Sequence, residues 1–347
     1  MAEVLENPWR GRRLGGGGPL PLADARGVAR LLQRCPAHAP TPLRHAADVA
    51  GALGVGELWL KDERARMGLG SFKALGAAHA IARTAAATDA PDFRHALQGR
   101  VYVTASAGNH GLSVAAGAAL FGARAVIFLA QTVPEAFADR LRARGAEVMR
   151  AGTDYEASMQ AAAKAAETNG WTLLSDSSWP GYTELPLRVM EGYLQLAAEA
   201  AAQIDQPPTH ILLQAGVGGL AAAVAAYARH VWGDGTQIVV VEPEAAPALM
   251  ESIRAGRLVE TSGPVSCMGR LDCKTPSMIA LNGLARDADI FVTISEAEAR
   301  RAAELLAVHD LPTTPSGAAG IAALLTRLDL PREARVLAIL SEGPEDG

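Results

Sequence analysis

Gly68-Leu69-Gly70-Ser71-Phe72-Lys73-Ala74-Leu75-Gly76 joins a short apolar run, Glu57 to Glu63, to an alanine-rich segment, Ala74 to Ala87. That pattern reads as strand, glycine loop and helix, with Lys73 at the helix start. A helix N-terminus disfavours a cation, and burial adds to the effect, so both favour the neutral amine. A neutral amine attacks carbonyls and forms Schiff bases. Alone, such a lysine is most economically a surface residue on a first helical turn.

Two further loops change that balance. Thr104-Ala105-Ser106-Ala107-Gly108-Asn109-His110-Gly111 lies between a strand and a helix. Ligands of open α/β sheets bind at the carboxyl ends of strands. Ser106, Ala107, Gly108, Asn109 and His110 there offer backbone N–H groups, a hydroxyl, an amide and an imidazole, which suit a carboxylate. The competing reading is an ordinary loop whose Ser106 and Asn109 cap the helix. The third stretch, Gln214-Ala215-Gly216-Val217-Gly218-Gly219-Leu220, again runs from strand into helix. Its glycines let backbone N–H groups approach a phosphate at a helix start. The same loop, with Glu242 ending the next strand and Ala221 at the third glycine position, also imitates a dinucleotide fingerprint. A nicotinamide-dependent oxidoreductase is therefore a rival of another class.

The positioning elements follow from periodicity. Strand candidates are 57-62, 101-105, 124-130, 147-151, 171-175, 210-214, 237-242, 290-295 and 336-341. Helix candidates lie near 71-87, 109-121, 134-145, 154-169, 182-203, 217-231, 244-256, 296-308 and 316-328. Short apolar strands alternating with helices predict an α/β chain of mostly parallel twisted sheets with helices on both faces. Two lobes are expected: residues 1-82 plus 191-347 as a large cofactor-binding domain, and 83-190 as a smaller nested domain carrying the asparagine loop.

Composition limits the function classes. The chain has 347 residues, 49% hydrophobic and 20% charged, with net charge -5, which gives no electrostatic footprint for nucleic acid. No apolar run reaches the ~18 to 20 residues of a membrane span. The first 22 residues hold no signal-peptide core, and the chain ends soon after its last strand candidate, so no C-terminal regulatory domain is expected. Cys35, Cys267 and Cys273 lack zinc-ligand spacing and read as reduced thiols of a cytoplasmic protein.

A reactive lysine, a carboxylate loop and a phosphate cradle are together what an amino-acid enzyme using pyridoxal phosphate needs. The chain resembles the tryptophan synthase β-like family, fold type II of the pyridoxal-phosphate enzymes. Ser71-Phe72-Lys73 matches the family's Schiff-base lysine, and Ser106-Ala107-Gly108-Asn109-His110 its asparagine loop. Gly216-Val217-Gly218-Gly219-Leu220 matches its phosphate loop, with Val217 in place of one glycine.

Within that family the resemblance is greatest to the diaminopropionate ammonia-lyase branch. It rests on Asp176 to Pro186, Gln214 to Leu220, and Leu271 to Ser277. It implies an α,β-elimination on a small amino acid, most simply 2,3-diaminopropionate, giving a 2-oxo acid and ammonia, in a homodimer. It also implies that Lys73 removes the α-proton, that Asn109 meets the ring oxygen, and that Asp176 binds the β-amino group. The ring nitrogen would face Ser341, as in the dehydratase-like branch, or Ser316, as in the cysteine-synthase-like branch. Those lyases carry an acid where this chain has Ala107, and that acid serves the D-isomer. The chain is therefore expected to prefer the L-isomer. Without the acid, the loop is also similar to that of dehydratases acting on 3-hydroxy amino acids such as serine, threonine or hydroxyaspartate. No metal is expected: Glu242-Pro243 matches a cation motif of some relatives, but the second acid of that motif is replaced by Ala248.

Overall fold

Ile238-Val239-Val240-Val241 is buried on both faces, as is Ile211-Leu212-Leu213, and such runs belong in the middle of a covered parallel sheet. The computed structural model describes residues 3–15, 17–90, 92–326 and 328–344. Among these, eleven strands form: β1 Val4–Glu6, β2 Leu43–His45, β3 Glu57–Asp62, β4 Val101–Ala105, β5 Arg124–Leu129, β6 Glu147–Arg150, β7 Thr172–Leu173, β8 His210–Gln214, β9 Gln237–Pro243, β10 Ile290–Ile294 and β11 Arg335–Leu340. They make a seven-stranded sheet, β1-β10-β9-β8-β11-β3-β2, and a four-stranded sheet, β6-β5-β4-β7. All pairings are parallel except at the two edges of the larger sheet, where β1 and β2 run antiparallel to their neighbours. The α/β class with mostly parallel sheets is as the sequence predicts.

Each expected strand is present, with small shifts at the ends. The two edge strands were not expected: three residues are too few to show a period of two. A helix at Met278–Asp287 was likewise not expected. It contains Asn282-Gly283, a turn signal in isolation, but here Gly283 meets Pro21, whose ring carbons lie within 2.6 Å of where its Cβ would be. The last expected helix is shorter, Pro315–Ala322 followed by a tighter turn at Ala323–Leu325. Pro91 and Arg327, which fall in an expected connection and an expected helix end, lie outside the described residues.

One helix crossing matters most for function. The helices Lys73–Ala86 and Glu184–Gln203 pack face to face through two glycines. A Cβ on Gly192 would lie 2.4 Å from the Leu75 carbonyl oxygen, and one on Gly76 would lie 2.6 Å from Cε1 of Tyr193. Side chains there would force the helices apart. The crossing brings the start of the first helix, Lys73, beside the loop that precedes the second, which carries Asp176.

Candidate active site

Five loops converge, and each follows the carboxyl end of a parallel strand: β3, β4, β7, β8 and β11. The lysine stretch leaves β3 through a turn with Met67, Gly68 and Gly70 at positive φ of 51°, 66° and 80°. It then bridges to the chain after β11. Ser71 pairs with Glu342, and the Phe72 amide donates to the Ser341 carbonyl at 3.0 Å. That anchoring fixes Lys73 as the first residue of its helix.

The Lys73 ammonium pairs with the Asp176 carboxylate, and both side chains are mostly buried, 20% and 16% exposed. Burial pushes the amine down, but Asp176 outweighs it and holds the lysine above its ordinary range. The same contest runs the other way at Asp176: burial pushes it up, and Lys73 outweighs that and holds it well below the usual carboxylate range. Helix dipole and desolvation favour the neutral amine, as expected, and the carboxylate in contact, which no local pattern announces, opposes them.

Asp176 is placed by the loop after β7. Tyr182 donates its hydroxyl to the Leu173 carbonyl at 2.8 Å and accepts from the Ser175 amide at 3.1 Å. Ser178 and Ser277 hydroxyls meet at 2.7 Å, and the Ser277 amide donates to the Val217 carbonyl at 3.0 Å. The three stretches singled out in the sequence, 176-186, 214-220 and 271-277, are therefore one connected support. Within it the backbone of Gly216 leaves no room for a side chain: a Cβ would fall 2.9 Å from the Cys273 sulfur and 3.0 Å from Leu271 Cα. Gly218 has φ 94°, and Gly219 starts a helix, so first-turn N–H groups are available at this loop. Burial pushes the Cys273 thiol up to about 12, so it is neutral.

The asparagine loop follows β4. The Ser106 hydroxyl accepts from the Gly108 amide at 3.3 Å, Ala107 packs on the core, and Gly108 precedes the helix Asn109–Leu120. The Asn109 side-chain amide donates to Glu342. His110 is buried, its Nε2 is 2.8 Å from the Leu174 carbonyl, and Nδ1 has no partner. Burial lowers its pKa, so the ring is neutral and Nε2 is its donor. Ser316 and Ser341 are both buried; the Ser316 hydroxyl accepts from the Arg270 amide at 3.2 Å.

Three residues near the site escaped the sequence reading. Glu342, 5% exposed, takes hydrogen bonds from Asn109 and Thr314, and Arg270 lies 3.7 Å from it. Tyr193 stands beside Lys73, with Nζ 5.8 Å from its ring centre. Nothing in an acidic residue near the chain end, or in a tyrosine of an alanine-rich helix, separates it from surface or core.

Glu242, the acid of the rival fingerprint, is fully buried and accepts from the Leu249 and Met250 amides, both at 2.7 Å. Burial pushes its carboxyl up to about 8. It caps the helix Ala248–Ala255 and is committed there, not offered to a ribose.

The family of pyridoxal-phosphate dependent enzymes matches residues 35–342. This chain belongs to that family. It is 31% identical to the diaminopropionate ammonia-lyase of Salmonella typhimurium, over 99% of this chain and 96% of the relative. An L-threonine ammonia-lyase of Thermotoga maritima is 26% identical over 88% of this chain and 71% of its own. The crystal structure of the Escherichia coli diaminopropionate ammonia-lyase, in complex with an aminoacrylate-PLP azomethine reaction intermediate, superposes with a TM-score of 0.90 at 28% identity, covering 100% of this chain and 94% of that one. The cofactor expected from the sequence is thereby established as pyridoxal phosphate, and the rival nicotinamide reading falls.

The residues present fit that cofactor. Around Lys73 three buried polar atoms have no partner, Ser71 Oγ, His110 Nδ1 and Tyr193 Oη, and the glycine loop is a cradle that a Cβ would fill.

Proposed function

We propose that this enzyme is an ammonia-lyase that eliminates the β-amino group of 2,3-diaminopropionate, with the L-isomer preferred. The observation that carries this reading is the buried Lys73–Asp176 pair at the meeting point of the loops. It joins a base to an anion suited to a second substrate ammonium group. Similarity to the ammonia-lyases along nearly the whole chain supports the same substrate.

Lys73 would hold the cofactor covalently, and the N–H groups of Gly216, Val217, Gly218, Gly219 and Leu220 would hold its phosphate. The cofactor supplies an electron sink for charge developing at the substrate's Cα. Ser106, Asn109 and the loop amides around Ala107 and Gly108 clamp the substrate carboxylate, while His110, whose Nε2–H already donates to the Leu174 carbonyl, holds the loop in place. Once free, Lys73 takes the Cα proton. Asp176, ionised because its pKa is held down, binds the β-ammonium and orients that leaving group. The β-nitrogen departs as ammonia, and hydrolysis of the unsaturated amino acid left behind gives a 2-oxo acid and a second ammonia. For the ring nitrogen Ser341 is preferred over Ser316, because the other likenesses point to the ammonia-lyases.

The four-stranded sheet uses strands between residues 101 and 173, which supports the division into 83-190 and 1-82 plus 191-347. Residues 1, 2, 16, 327 and 345–347 of the larger part and 91 of the smaller lie outside the described residues. Among the described residues no helix is long and apolar enough to cross a membrane, and all three cysteines are free. A cytoplasmic homodimer completes the reading.

Ala107 favours one alternative, a dehydratase of a 3-hydroxy amino acid, which needs no acid at that position. Release of ammonia and 2-oxo acid from 2,3-diaminopropionate and from serine, at matched concentrations, separates the two.

A further inference from the structure

Tyr193 lies midway along the helix Glu184–Gln203 and has no role in the proposed steps above. Its side chain is 1% exposed, and its hydroxyl has no hydrogen-bond partner. A buried unpaired hydroxyl costs about 1–3 kcal/mol, so an apolar ring would serve packing better. The ring stands edge-on to Phe72, with centres 4.9 Å apart, and Lys73 Nζ is 5.8 Å from its centre. A Cβ on Gly76 would come within 2.8 Å of Cζ, and one on Gly219 would lie 3.6 Å from Cε2. The hydroxyl end is therefore wedged between the start of the lysine helix and the glycine loop, at the centre of the site.

We propose that Tyr193 is a positioning residue for the Lys73 amine: its hydroxyl oxygen accepts an N–H from Lys73 and so directs the amine's lone pair at the substrate's Cα. A neutral amine has two N–H bonds and one lone pair. With one N–H on Asp176 and the other on Tyr193, the lone pair has a single direction left. Asp176 alone would favour the ammonium, which cannot act as a base. A phenol is an uncharged acceptor and adds little to that bias. Burial raises Tyr193 to about 12, which keeps it uncharged throughout the working pH range. When the proton moves from Cα to Nζ, the new ammonium finds its counter-ion in Asp176. The inference rests on Lys73 being the base, as in the reading above.

The test is Tyr193→Phe, which keeps the ring against Phe72, Gly76 and Gly219 and removes only the oxygen. The variant holoenzyme is expected to stay yellow and borohydride-reducible with KM within about 2-fold, while kcat falls about 10-fold or more. The kinetic isotope effect with α-deuterated substrate should rise, because proton abstraction becomes slower. The cofactor-free variant should be as stable to heat as the unaltered chain, or more so, since it loses an unpaired buried group. Unchanged kcat and isotope effect would overturn the proposal. So would loss of the cofactor with normal turnover at saturation, which would make the hydroxyl a cofactor ligand. A drop in stability of the cofactor-free protein would make it structural. If Lys73→Ala still exchanged the α-proton, the base assignment itself would fail, whatever Tyr193→Phe shows.

Discussion

The side-chain amide of Asn109 donates to the carboxylate of Glu342, which joins the loop after β4, an inner strand of the small sheet, to the chain leaving β11 of the large one. Glu342 also takes the Thr314 hydroxyl, the residue capping the helix Pro315–Ala322. One buried carboxylate thus sets three elements around the site.

Removing it should be costly. Glu342→Ala leaves Asn109 and Thr314 without this acceptor beside the Arg270 guanidinium, and a loss of about 3–5 kcal/mol is expected. Glu342→Gln keeps an acceptor and should lose less than half as much. Chemical denaturation of both variants measures the difference; equal losses would show that the charge, not the shape or the retained acceptor, is what matters.

Asp176→Asn removes the charge that would receive a substrate ammonium and also the counter-ion of Lys73. Turnover of 2,3-diaminopropionate should fall about 100-fold or more, and that of a 3-hydroxy analogue by less than about 10-fold. Parallel kcat/KM measurements read the contrast. Equal losses would remove Asp176 from any role in choosing the leaving group.

Acid sensitivity should reside in a separate buried cluster, in which Glu199 pairs with Lys61 at 2.8 Å and with Arg66 at 2.7 Å. Burial pushes Glu199 up, but Arg66 and Lys61 pull it down to about 2, from 4.5. A carboxyl depressed on folding stabilises the fold above its unfolded pKa and loses that contribution as pH falls through its folded one. Stability should therefore decline between pH 4.5 and about 2. Glu199→Gln should be less stable at pH 7 and show a shallower decline, as followed by thermal melts across that range.

Stereochemistry depends on position 107. The unaltered chain should release ammonia from L-2,3-diaminopropionate and far less from the D-isomer, because the loop offers no second base. Ala107→Asp should raise the D-isomer rate at least about 10-fold, the scale of a positioned general base. A chain that already consumes both isomers equally would contradict this.

Much of the site was legible because its parts are local. Ser71-Phe72-Lys73, the asparagine loop and the glycine loop each join a strand to a helix, and periodicity locates such junctions. Glu342 and Tyr193 were not legible, because their importance lies in what the fold brings to them. Glu342 depends on Asn109, 233 residues away, and Tyr193 on a helix crossing made possible by Gly76 and Gly192. The partner of Lys73 was not legible for the same reason. Its own helix argues for a neutral amine, and Asp176, 103 residues on, acts against that. The acidic fingerprint at Glu242 shows the converse, a local pattern whose tertiary partners assign it to capping.

The central claim is that Lys73 carries out elimination on an amino acid with two amino groups. Its most direct test incubates purified holoenzyme and its Lys73→Ala variant with L-2,3-diaminopropionate, while ammonia and 2-oxo acid are measured. The account predicts about two ammonia per 2-oxo acid from the unaltered chain and neither product from the variant. A variant that still releases both, or an unaltered chain that acts on serine or threonine but not on L-2,3-diaminopropionate, would contradict it.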